Sequence, residues 1–151
     1  MEFILFLSKI DKEIIELINK TNHTIEENTA LCLIDKKFVG FYKTREQSIV
    51  ICTENAKRLG GYRKNKNHDN HKTELYIRRA LRHEATHLVQ SCNENKPTNI
   101  IKNIEDKIHA VKLNALNSSV KISGNYDKEL EAYVMEDKPN KVKEILKDYC
   151  L

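Results

Sequence analysis

His83-Glu84-Ala85-Thr86-His87, within the run Thr73 to Cys92, decides how the rest of this chain is read. On a helix, residues four apart differ by about 40° in rotation and about 6 Å in rise, so both imidazoles can lean toward one metal ion. Glu84, between them in sequence, suits the role of general base for a water on that metal. With six His and fifteen Glu among 151 residues, about 0.02 such patterns are expected by chance, which disfavours accident. The flanks support a helix with one buried side: Leu75, Ala80, Leu81, Leu88 and Val89 recur at helical spacing, and Thr73 is placed to cap it.

Upstream of this helix, Phe3, Phe6, Leu7, Ile10, Ile14, Leu17 and Ile18 repeat every three or four residues and predict an amphipathic N-terminal helix ending between Asn19 and Thr24. From Ala30 to Glu54, the short runs Leu31 to Ile34, Phe38 to Tyr42 and Ser48 to Cys52 are rich in β-formers and predict a small antiparallel sheet. The backbone edge of Ser48 to Cys52 is the expected seat of an extended peptide. Gly60-Gly61 and the polar stretch Tyr62 to Lys72 predict a loop at the rim of the site. Downstream, Thr98 is placed to cap a helix carrying Ile101, Ile104, Ile108, Val111 and Ala115. Gly124 breaks the chain, Asp127 starts another helix running through Glu136, and Pro139 opens a last one bearing Val142, Ile145, Leu146 and Tyr149. This order of elements predicts one α+β domain over residues 1–151.

A catalytic zinc site uses three protein ligands and leaves one position for water. The extended signature with a third histidine would need Gly at 90 and His at 93, where the chain has Gln90 and Asn93. The acidic candidates are Glu129 and Glu131, in Glu129-Leu130-Glu131-Ala132. Two residues apart is about 200° on a helix, so only one of them can face the metal. Ala132, close to Glu129 on one helix face, allows near approach of the motif helix and favours Glu129; Glu131 is the alternative. His109 is a further candidate for a three-histidine set, while His68 and His71 read as solvated loop residues and His23 carries no signal. Tyr126, Tyr133 and His109 are the candidates for stabilising an oxyanion.

Ile51-Cys52 before the helix, Leu81 to His87 on it and Glu129 to Ala132 after it resemble the HExxH zinc metallopeptidases of the gluzincin kind. In layout they are similar to the small peptidases related to the mitochondrial ATP-synthase-processing metalloprotease. The resemblance covers roughly the second two-thirds of the chain and is specific only at the His-Glu-His element. It implies a minimal zincin-like domain in which His83, His87 and Glu129 hold Zn2+ and Glu84 is the catalytic base of peptide-bond hydrolysis by a zinc-activated water. The chain departs from that pattern at Leu88-Val89-Gln90, where an aromatic and an acidic residue are usual.

The net charge of +4 comes from 20 Lys and 6 Arg scattered among Asn and Ile, without the clustered Arg and aromatics of a nucleic-acid groove. The expected partner is therefore a polypeptide substrate. Cys32, Cys52, Cys92 and Cys150 are far apart, form no Cys-x-x-Cys pair, and are expected to be reduced, buried thiols. Phe3 to Leu7 is too short for a secretory signal core and no run reaches membrane-spanning length, so a cytoplasmic protein without membrane insertion is expected. Three alternatives stand beside the peptidase: a zinc-binding interaction module without catalysis, a protease acting on DNA-associated proteins, and a metal-free helical interaction domain.

Overall fold

The computed structural model describes residues 1–151 as an α+β arrangement of seven α-helices around a three-stranded sheet. The N-terminal apolar repeat is not one helix. A short 3₁₀ helix, Glu2–Phe6, ends at extended Leu7, and α1 (Lys9–Asn19) begins anew from Ser8. Ser8 and Asp11 form a reciprocal capping box there, and such a cap favours a fresh start over a continued helix. Ile14, Leu17 and Ile18 are the buried stripe of α1.

The sheet differs from the expected antiparallel one. β1 (Thr24–Glu27) was not foreseen; it runs parallel to β3 (Ser48–Ile51), and β2 (Gly40–Lys43) pairs with β3 antiparallel, in the order β1-β3-β2. Leu31 to Ile34, read as a strand, is instead the single-turn helix α2 (Leu31–Ile34). Four-residue apolar runs carry too little periodicity to separate strand from helix. β3 is buried along its whole length, with Ile49 and Ile51 in the main core and Val50 on the opposite face beside Cys32 and Cys52. It is therefore the central strand and has no free edge for a peptide; the edge next to the motif helix belongs to β2. A further helix, α3 (Thr53–Leu59), follows directly.

The 22-residue helix α4 (His71–Cys92) is the axis of the molecule. It starts two residues before Thr73, whose side chain is buried within it and packs close to Gly60. Ile77, Leu81, Ala85, Leu88 and Val89 of α4 join residues of α1, β3, α3 and α7 (Pro139–Cys150) in one apolar cluster. After α4, the segment from Thr98 is irregular and contains only a short 3₁₀ turn, Ile104–Lys107, before α5 (Ala110–Ser123). The expected helix cap at Thr98 is absent because its N–H and hydroxyl donate to Glu131. Gly124 ends α5 in the left-handed region (φ 73°), and α6 (Tyr126–Met135) follows with Asn125 as its cap. Pro139 opens α7 as expected.

All four cysteines are paired, Cys32 with Cys52 and Cys92 with Cys150, with Cα separations of 5.6 and 5.5 Å. This overturns the reading of reduced thiols: sequence separations of 20 and 58 residues carry no pairing signal, and only the fold brings the partners together. No helix is long and apolar enough to cross a membrane.

Candidate metal centre

α4 aims the two motif histidines at α6. Their rings are 4.9 Å apart between centroids, and Nε2 of His87 is 3.2 Å from Nε2 of His83. Glu129, in the first turn of α6, brings Oε2 to 3.3 Å from His83 Nε2 and Oε1 to 3.2 Å from His87 Nε2. The three ligand atoms lie within 4.8 Å of one another.

The outer nitrogens decide what the inner ones carry. His83 Nδ1 is 2.9 Å from Glu136 Oε2, a carboxylate that only accepts, so the N–H is on Nδ1. His87 Nδ1 is 2.8 Å from Gln90 Oε1. The Gln90 amide cannot be turned round, because its Nε2 donates to the Lys128 carbonyl and to Glu131 Oε1, both 3.0 Å away. Each neutral ring therefore turns an Nε2 lone pair inward. Two lone pairs 3.2 Å apart beside a carboxylate repel unless a cation joins them, and Glu129 Oε2, fully buried, has no hydrogen bond of its own. The donor set of two imidazoles and one carboxylate fits Zn2+. In the bare protein a proton meets the same demand: burial opposes charge on His83, but the Glu129 and Glu136 carboxylates, 3.3 and 2.9 Å from its two nitrogens, outweigh it and push its pKa up to about 10. Burial likewise works to raise the Glu129 pKa, and the two histidines overcome it and hold it low.

Glu84 is buried with its pKa raised by that burial, against the pull of His83 and His87. β2 passes directly over it. A Cβ at Gly40 would stand 2.9 Å from Glu84 Cγ and 3.2 Å from Oε1, so only glycine lets the strand come this close.

Glu131 points elsewhere. It accepts from Thr98 N and Oγ1, Asn99 N and Gln90 Nε2, fastening the segment after α4 to α6. The structure thus brings His83, His87 and Glu129 together and leaves Glu131 out of the cluster. His109 is exposed at the start of α5, His71 is exposed at the start of α4, His68 bonds the Gly61 carbonyl, and His23 bonds Tyr42. Of the oxyanion candidates, Tyr126 is exposed, whereas Tyr133 stacks edge-on against His83 at 4.5 Å with its hydroxyl 2.6 Å from Ser119 Oγ. Burial raises the Tyr133 pKa to about 12.

Sequence reasoning missed Glu136, Gln90 and Lys112. Glu136 is seven residues after Glu129, two helical turns on, and that spacing was a usable signal. Lys112 reaches over from α5 to Glu136, Asp137 and the Tyr133 carbonyl at 3.2, 2.8 and 3.0 Å, a contact no local pattern announces.

The centre opens into a cavity of about 570 Å³ walled by β2, α4, α5 and α6. The polar stretch 62–72, expected at its rim, takes no part; α5 forms that wall instead.

A family model described as a domain of unknown function, DUF8637, matches residues 3–151. The chain belongs to this family. No curated protein and no solved structure matches it. The DUF8637 match spans the motif helix, α6 and all four cysteines, so the candidate centre lies inside the family's domain.

Proposed function

We propose that this DUF8637 chain is a zinc-dependent peptidase on a minimal zincin-like scaffold. The observation that carries the reading is the convergence of two imidazole Nε2 atoms and one buried carboxylate oxygen at the floor of an open cavity. A purely structural zinc site has all positions filled and closed; here a cavity leads to the donors. His83, His87 and Glu129 would hold the ion, with Glu136 and Gln90 fixing the tautomers and orientation of the two rings. Zinc bound there supplies Lewis acidity toward a substrate carbonyl and toward water.

Glu84 takes the proton from the attacking water at its carboxylate and returns it to the departing amine; burial, which raises its pKa, suits it to both directions. β2 offers a polypeptide substrate its outer edge. The bond from Cys52 N to the Val39 carbonyl sets the alternation, so Val39 and Phe41 turn their backbone groups to β3 while Gly40 and Tyr42 turn theirs outward. The paired cysteines favour an oxidising compartment over the cytoplasm.

Metal analysis of the chain purified without added metal, together with peptide turnover, tests the reading. Wild type is expected to hold about one zinc and to cleave peptides. Glu84→Gln should keep the zinc and lose about 10²-fold or more of the turnover, whereas His83→Ala should lose both. Full activity in Glu84→Gln, or no zinc in wild type, overturns the proposal.

A further inference from the structure

The wall that α5 contributes to the cavity is apolar without being covered. Val111, Ala115, Ser119 and Ile122 recur at helical spacing and all face the cavity, with Val111 87% and Ile122 71% exposed. The side chains of Val111 and Ile122 belong to no apolar cluster of the fold, while Ser119 bonds the Tyr133 hydroxyl. α5 is anchored by its adjoining face, where Leu116 and Val120 pack on Leu130 and Val134 of α6. Phe38, just before β2, and Phe41, within it, stacked edge-on at 5.2 Å, also line the cavity.

The charges in the cavity are sorted by place. Glu84, Glu129 and Glu136 are its only acidic side chains and all belong to the metal centre; Arg79 and Lys112 are paired with Asp137. Lys37 and Lys128 also line it, and neither forms an ion pair. Apolar walls with two unpaired cations and a free strand edge fit one kind of occupant.

We infer that the cavity binds an extended polypeptide segment that lays one large apolar side chain between the α5 stripe and Phe38/Phe41, with acidic neighbours meeting Lys37 and Lys128. The outward backbone groups of Gly40 and Tyr42 supply the main-chain bonds, and α5 selects the side chain. The inference deepens the peptidase reading and rests on it for the bound chain being a substrate; the binding itself needs no metal.

Fluorescence anisotropy of short labelled peptides on the full chain, disulfides intact and metal removed by chelation, tests it. A peptide with Leu or Phe flanked by Asp should bind roughly tenfold more tightly than its Ala counterpart, and more tightly than the same apolar residue flanked by Lys. Val111→Ser combined with Ile122→Ser should bring the Leu-to-Ala ratio close to one, and Ala115→Trp, which fills the same space, should do likewise. Leu5→Ser, an 81% exposed apolar residue outside the cavity, should leave the ratio as it is. Equal binding of the Leu and Ala peptides, or a ratio that survives both α5 changes, overturns the inference, and tight binding of the Lys-flanked peptide overturns its charge half. Selective binding by a protein that cleaves none of these peptides when zinc-loaded instead overturns the peptidase reading and leaves the recognition surface standing.

Discussion

Two glutamates two residues apart do opposite work because a helix turns them about 200° from each other. Glu129 faces the histidines, and Glu131 receives the chain after α4. Their substitutions should separate cleanly. Glu131→Ala takes the acceptor from the half-buried N–H and hydroxyl of Thr98 and one of two acceptors from buried Gln90 Nε2, and should cost about 2 kcal/mol of stability, read by denaturant unfolding. Glu136→Gln keeps the size but gives His83 a neutral partner, and should weaken zinc binding by about 10- to 100-fold with little loss of fold; competition with a chelator measures it. Gly40 is the third informative residue. An added methyl meets Glu84 Cγ at 2.9 Å and Ala80 Cβ at 3.3 Å, and of these only the glutamate side chain can swing away. Gly40→Ala should therefore retain zinc and lose turnover, on the order of 10-fold to 10²-fold for a displaced base. A variant as active as wild type would show that Glu84 is not held by the strand above it.

The motif helix, the break at Gly124 and the start at Pro139 were all legible as elements, because long apolar repeats and conformationally restricted residues act locally. Elements whose identity depends on a partner were not. Thr24–Glu27 becomes a strand only because it lies parallel to Ser48–Ile51, and Leu31–Ile34 turns helical where Asn55 binds the Cys32 carbonyl. In the same way Glu129 could be preferred from the spacing of Ala132 and Glu136 could have been found two turns on, whereas Lys112 needed α5 and α6 in place. His23 illustrates such a partnership between elements. It follows α1, and its Nε2 is 3.0 Å from Tyr42 Oη on β2, which in turn donates to Ser91 on α4. Burial holds its pKa below the ordinary 6.5. The unfolded chain then takes up a proton more readily than the folded one, so this stability is full above pH 6.5 and is lost as pH falls toward the folded value. Thermal unfolding of wild type against His23→Gln should show the gap between them narrow below pH 6.5; a gap independent of pH would mean that His23 does not stay neutral on folding.

At the scale of the molecule, the two disulfides stand at the ends of the elements that form the site. Cys92 closes α4 five residues beyond His87 and ties it to the last helical residue of α7, while Cys32–Cys52 ties α2 to the end of β3, next to the strand that crosses Glu84. Loops of 20 and 58 residues restrict the unfolded chain by about 3 and about 4 kcal/mol. Together that is comparable to the whole stability of an ordinary domain, about 5–15 kcal/mol. An oxidised chain should resist alkylation at every cysteine without reductant, measured as an unchanged intact mass. Reduction should lower the melting temperature by on the order of 15 °C or more. Cys92→Ser with Cys150→Ser should also weaken zinc binding more than Cys32→Ser with Cys52→Ser, since only the first pair secures the helix that carries both histidines. Four freely alkylated thiols in protein that is folded and active would instead assign the chain to a reducing compartment, and its stability would then rest on the apolar cluster around α4 alone.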